Sequence, residues 1–295
     1  MLISAALIWG AAFVAQSVGM EYVGPFTFNF SRTLIGGLTL VAYIFLTRKK
    51  ASPPASGLYT KDLFAGGIAS GIVLAAASSF QQYGLMFSSV GKAGFITTLY
   101  IVIVPILGIF FGKKVSPLIW LSVFLAMFGM YMLCMTESLT VGKGDILLLI
   151  GAFFFSAHIM VIDHFSPKAD CVRMSCMQFF VCSAICAVPS FIFENPEIKN
   201  IISAWLPVLY AGVFSCGVAY TLQIAAQKHS NVVVASLLLS LESVFSAIFG
   251  WLLLNEVLSA REISGCILVF LAVLLTNLPG YLEVKRAQKI QKAGF

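Results

Sequence analysis

The chain has 295 residues, 60% of them hydrophobic and only 10% charged, and its formal net charge is +6. A soluble domain carries about 45–50% apolar and 25% charged residues, so lipid rather than water is the main solvent of this chain. The lysines and arginines fall between apolar stretches instead of gathering on one face, which argues against nucleic acid as a partner.

Ten apolar stretches of roughly twenty residues follow one another, each able to cross a ~30 Å hydrocarbon layer. They are read as 2–20, 26–47, 62–87, 93–112, 117–136, 145–163, 171–193, 203–227, 231–254 and 261–282. Each run is continuously apolar, which favours helices over the short alternating strands of a barrel. Breakers mark the boundaries, among them Gly24, Pro25, Pro53, Pro54, Pro117, Pro167, Asn195 and Pro196. The spans use nearly the whole length, and no separate soluble domain fits.

Span 1 lacks the positive flank and small-residue cleavage site of a signal peptide and is read as a helix. It carries Trp9, deeper than the interfacial aromatic belt. Span 2 contains Arg32, close enough to one end for its stem to snorkel outward as an anchor; binding a substrate carboxylate is the alternative. Span 3 is unusually polar, with Ser78, Ser79, Gln81, Gln82 and Tyr83 needing partners inside a bundle. Its Gly67 and Gly71, and Gly108 and Gly112 at the end of span 4, offer small faces for close helix approach.

Span 4 also carries Thr97 and Thr98, expected to bond their own backbone, and Tyr100. Span 6 contains His158, which reads either as a hydrogen-bonded packing residue or as a proton relay. Span 8 contributes Tyr220 and Gln223. Span 9 contains Glu242 about eleven residues from its start, where a carboxylate costs roughly 2.5–3.5 kcal/mol on insertion scales. Such a group faces protein or water, and reads as a site for a substrate amine or a coupling proton, or as an acid hydrogen-bonded to a neighbouring helix. After Tyr281 the chain becomes basic and is expected to lie against anionic lipid.

With the amino terminus in the cytoplasm, thirteen lysines and arginines fall on inward connections and the tail, against four outward: Lys92, Lys143, Lys199 and Arg261. The positive-inside rule then places both termini in the cytoplasm of a multi-pass cell-membrane protein.

The chain also repeats itself. Residues 93–108 align with 235–250, matching Ala93 with Ala235, Leu99 with Leu241, Val102 with Val244, Ile106 with Ile248 and Gly108 with Gly250. This register sets Tyr100 opposite Glu242. A weaker match sets Trp9 over Phe155 and Arg32 over Gln178, so each half has five spans. Five is odd, and the second half therefore enters the membrane from the opposite side. The expected fold is all-α, with ten transmembrane helices in two inverted five-helix repeats, an arrangement that suits alternating access around a site near the midplane.

Several pieces together resemble the drug/metabolite transporter superfamily, in particular ten-helix proteins built from two EamA domains. They are Leu7 to Gly10, Pro25 to Arg32, Phe80 to Leu85 and Ala93 to Pro105 in the first half; in the second they are Gly144, Asp145, Ala157, His158, Leu241, Glu242 and Leu254 to Glu256. The resemblance implies EamA repeats at 1–136 and 137–282, followed by a tail at 283–295. It further implies a secondary transporter, usually an exporter or exchanger of amino acids or other small metabolites. A proline often follows the span 9 glutamate in that family; Ser243 stands here instead, which puts a helix break at that point in question.

The expected function is movement of a small organic metabolite across the bilayer, with export as the direction. Candidates for substrate or proton binding are Glu242, Tyr100, Gln81, Gln82, His158, Trp9, Tyr220 and Gln223. The partners are the substrate, the lipid bilayer and a coupling proton, and a homodimer is left open. No cofactor or metal is expected. The seven cysteines form no CxxC pair and read as packing residues.

Gly91 and Lys92 lack the rest of a phosphate-binding loop, which argues against a pump. An enzyme would need a nucleophile with its base, paired carboxylates or metal ligands, and none is visible. A non-transporting sensor or scaffold is the remaining alternative.

Overall fold

The computed structural model of the chain describes residues 1–47, 61–88, 90–112, 115–134, 142–254 and 258–293. Pro53, Pro54, Asn255 and Glu256 lie outside the described residues.

Among those residues the chain forms ten long helical rods, one short helix at Ile198–Ser203 and no strand. The rods are α1 (Leu2–Gly19), α2 (Pro25–Thr47), α3 (Lys61–Leu85), α4 (Val90–Thr98 and Tyr100–Phe110), α5 (Pro117–Cys134) and α6 (Lys143–Phe165). There follow α7 (Cys171–Glu194), α8 (Trp205–Gln227), α9 (Val232–Leu239 and Leu241–Leu254) and α10 (Ala260–Ala293). Eight of the rods are long and apolar enough to cross a bilayer, and α5 holds a shorter apolar helix.

The rod ends are closed as the sequence would have them. Pro25 opens α2, where its missing N–H costs nothing. Asp170 accepts from Arg173 N at 2.9 Å, and Asn231 from Val233 N at 2.9 Å. Asp145 reaches back to Gly142 N at 2.7 Å, and Glu262 to Ser259 N at 2.7 Å, each satisfying a donor that the first helical turn leaves open. Outward faces are greasy: Phe45, Phe110 and Phe124 are exposed, while Asn29, Ser70, Gln82 and Gln178 are buried. This reversal of the soluble pattern follows from lipid as solvent.

The contacts obey the exchange of each rod with the one five places on. α1 packs on α8 and α9, as α6 packs on α3 and α4. α2 packs on α8 as α7 packs on α3, while α2 pairs with α7 and α5 with α10. Where α5 crosses α10, Gly129 and Gly265 face each other: a Cβ on Gly129 would lie 2.8 Å from the Gly265 carbonyl, and one on Gly265 2.5 Å from the Gly129 carbonyl. That mutual contact lets the backbones of α5 and α10 approach closely, as small residues do in membrane bundles. Five successive rods separate equivalents, so the two repeats are inverted.

Other glycines sort by their neighbours. Gly67 meets Met177 and Gly71 meets Val181, so both serve close packing of α3 on α7. Gly112 does not pack among the described residues: none lies within 4 Å of its Cβ position, and its φ of +77° ends α4 in a conformation that glycine adopts without strain.

Five features depart from ten plain helices. α4 is interrupted at Leu99 and α9 at Ser240, nearly equivalent positions of the repeat. The α9 break therefore occurs without a proline, two residues before Glu242. Ser190–Glu194 at the end of α7 and Ala211–Tyr220 within α8 are π-helical. Last, α10 does not stop near residue 282 but continues to Ala293.

Candidate functional site

A cavity of about 50 Å³ lies among α1, α2, α3, α4, α6, α8 and α9. It is lined by Trp9, Phe13, Gln16, Arg32, Gln81, Thr97, Tyr100, Phe155, His158, Ile159, Ser215, Tyr220, Gln223, Leu239 and Glu242. Its walls repeat: Trp9 and Phe155, Phe13 and Ile159, Thr97 and Leu239, Tyr100 and Glu242 occupy equivalent positions of the two halves. The cavity thus straddles the pseudo-two-fold axis. Both repeats build it, but with different chemistry at matching positions.

The clearest case is the pair at the axis. Tyr100 Oη donates to Glu242 Oε1 at 2.9 Å, and both side chains are buried. The helix breaks put them there. At Leu99 and Ser240 the turns tighten, with Val102 N bonding Leu99 O at 2.9 Å and Ser243 N bonding Ser240 O at 3.2 Å. Tyr100 and Glu242 consequently sit in the first turns of the second halves of their rods. There the open N–H groups favour a carboxylate. Serine hydroxyls assist the break in α9, since Ser236 Oγ bonds Val233 O and Ser240 Oγ bonds Leu237 O, each turned back on its own helix.

One wall is aromatic. The Tyr220 ring stands 4.6 Å from that of Trp9, 5.7 Å from that of Phe179 and 5.8 Å from that of His158. His158 Nε2 lies 3.1 Å from Gln178 Oε1, a hydrogen bond that ties the ring to α7. On the opposite wall Gln81 Nε2 donates to Thr97 Oγ1 at 3.3 Å, whereas Thr98 bonds its own backbone at Gly94 O, 2.8 Å away. Three cavity residues retain unpaired polar atoms among the described residues: Trp9 Nε1, Arg32 Nε and Gln223 Oε1.

The model of the EamA-like transporter family matches residues 1–135 and 142–278. The chain belongs to that family.

Its EamA-like relatives include an uncharacterized transporter of Archaeoglobus fulgidus, 31% identical over 92% of this chain and 83% of that one. The uncharacterized transporter YoaV of Bacillus subtilis is 24% identical, covering 94% of this chain and 95% of its own. A chloroplastic WAT1-related protein of Arabidopsis thaliana is 24% identical over 95% of this chain and 69% of its own. A crystal structure shares the fold with a TM-score of 0.77 at 18% identity, over 94% of this chain and 95% of the other. The chain is thus a multi-pass membrane protein of a transporter family, and family and relatives point to transport rather than catalysis.

Within this EamA-like bundle, seven residues singled out from the sequence line the cavity: Glu242, Tyr100, Gln81, His158, Trp9, Tyr220 and Gln223. Gln82 does not. It is fully buried away from the cavity, and neither amide atom has a partner among the described residues. Arg32 reverses its expected role as an outward anchor. Only 5% exposed, it turns inward on the rod that packs against α7 and α8 and lines the cavity. Gln16, Thr97 and Ser215 also line it without having been picked out as binding candidates. Their signal was a polar residue in an apolar run, shared with serines and threonines that merely bond their own helix.

Proposed function

We propose that the chain is a secondary transporter that moves a small organic metabolite by alternating access through the cavity around Tyr100 and Glu242, working as an exporter in the cell membrane with both termini in the cytoplasm. The observation that carries this reading is the pairing of Tyr100 with Glu242 at a break in each inverted repeat, inside a cavity drawn from both repeats. Inverted halves can pack in two mirrored arrangements, each opening the same site to one side. At about 50 Å³ the cavity holds roughly three to five waters, whereas ligand sites run to about 300 Å³ or more. Transport then requires the halves to part around it.

Glu242 is the proposed carrier of the coupling proton or of a substrate amine. The export direction comes from the family resemblance, and the cytoplasmic termini from the thirteen-to-four charge bias. Counterflow in sealed proteoliposomes tests the reading: a metabolite loaded inside drives uptake of the labelled compound. Glu242→Gln is expected to fold, to lower exchange at least about tenfold and to lose its dependence on pH. Exchange that is unchanged in rate and pH profile rejects Glu242, and no exchange of any metabolite by the unaltered chain rejects transport.

A further inference from the structure

We propose that Arg32 is the binding site for the carboxylate of the transported ligand, so that the cavity takes small organic acids carrying a single negative charge. This rests on the cavity being the ligand site and adds to it the chemical class of the ligand.

Three observations converge. Arg32 is 5% exposed in the interior of a membrane-spanning rod and lines the cavity. Its Nε has no hydrogen-bond partner, and no carboxylate pairs with it among the described residues. Its Cζ stands 5.8 Å from the centre of the Phe28 ring. A guanidinium does not give up its proton, so this charge stays in the bundle and needs a counter-ion. Among the described residues, the rods around it do not supply one. α7 and α8 set the thiols of Cys182, Cys186 and Cys216 and the phenol of Tyr220 near it, none of them a carboxylate. Glu242 shares the cavity but is tied to Tyr100, and Glu194 caps the start of α2.

The anion therefore comes from the ligand. A planar guanidinium matches the two oxygens of a carboxylate in a paired fork, and Trp9 Nε1–H supplies a second unpaired donor in the same cavity. Arg32 is the single lysine or arginine of the lining, so one negative charge is balanced and a doubly charged phosphate is not. The opposite polarity waits elsewhere in the lining: Gln223 Oε1 is an unpaired acceptor among the described residues. The Trp9 and Tyr220 rings give the remainder of the ligand an apolar face.

The repeat sharpens the assignment. The equivalent position in the second half holds Gln178, which satisfies His158 and lies outside the lining. Charge has been placed on one side of the axis only, where it orients a ligand with unlike ends.

The test uses the full chain in lipid nanodiscs and a panel of the twenty amino acids, butyrate and benzoate, each beside its amide and its decarboxylated counterpart, with binding read by thermal shift. At least one acid is expected to bind about tenfold or more tightly than its amide, because a site built for a charged group rejects the analogue that lacks it. Arg32→Gln is expected to bring the acid down to the level of the amide and leave the amide unchanged; Arg32→Lys keeps the charge, loses the fork and falls between. Size-exclusion profiles establish that each variant folds, and if Arg32→Gln does not, the comparison of acid with amide on the unaltered chain still decides.

Equal binding of acid and amide overturns the assignment, as does an Arg32→Gln protein that keeps the preference or a panel in which no acid binds. Counterflow separates this from the transport reading. Amines or amides that exchange when no acid does leave transport standing and remove Arg32; an acid that binds but never exchanges keeps Arg32 and removes transport.

Discussion

The pair formed by Tyr100 and Glu242 shows what one hydroxyl does in a bundle without bulk water. The phenol is the one side-chain hydrogen-bond partner of Glu242 among the described residues, and a buried carboxyl left without its donor loses about 1–3 kcal/mol. Tyr100→Phe removes that oxygen and little else. It is expected to slow counterflow about tenfold, with folding retained and a lower melting temperature in detergent. A variant that exchanges at the full rate would show the bond to be structural. The same residues show how far single positions could be read in advance. Polar side chains inside apolar runs stand out because lipid cannot satisfy them, which is why Glu242, Gln81, His158 and Gln223 were visible. Adjacent residues on a helix point about 100° apart, however, and composition does not say which faces the cavity. Gln81 lines it and Gln82 does not. Arg32 follows the same logic: distance from a helix end measures depth, whereas the face it presents is set by α7 and α8, which are far away in sequence.

At the scale of helices, the rods themselves were legible because each is a continuous apolar run between breakers. Their interior irregularities were not. The breaks at Leu99 and Ser240 are tightened turns made by ordinary residues, and the π-helical part of α8 has no composition that betrays it. The end of α7 carries a further feature that spacing could not show. Glu194 accepts from Phe26 N at 2.9 Å, and from Thr27 N and Thr27 Oγ1 at 2.7 Å each, so α7 supplies the cap for α2 across the bundle. Gly24 makes room for it, since a Cβ there would fall 2.3 Å from the Glu194 carboxyl carbon. Losing a cap of this kind costs about 1–2 kcal/mol. Glu194→Ala and Gly24→Ala are therefore expected to lower the melting temperature by similar amounts, and the double variant by little more than either, because both remove one interaction. Fully additive losses in the double variant would show that the glycine acts apart from the carboxylate.

For the whole molecule, the proposed alternating access between inverted repeats requires the rods joined at one end of the bundle to separate for the site to open there. The tie between α2 and α7 is suited to report this, because the two rods are each other's equivalents and meet on the axis. Thr27 Oγ1 lies 2.8 Å from Ser190 Oγ, close enough that cysteines at both positions can form a disulfide with modest adjustment. In a background free of the native cysteines, Thr27→Cys with Ser190→Cys is expected to exchange substrate when reduced, to lose at least about tenfold in rate when oxidised, and to recover on adding a thiol. A substrate already bound would be trapped rather than released, so the oxidised protein should retain binding while losing exchange. Each single-cysteine variant should ignore the oxidant. Should the cross-linked protein exchange as fast as the reduced one, then α2 and α7 stay joined at that end throughout the cycle. The metabolite would then leave past another pair of rods, and the motion would not be the mirrored rocking that the symmetry of this fold suggests.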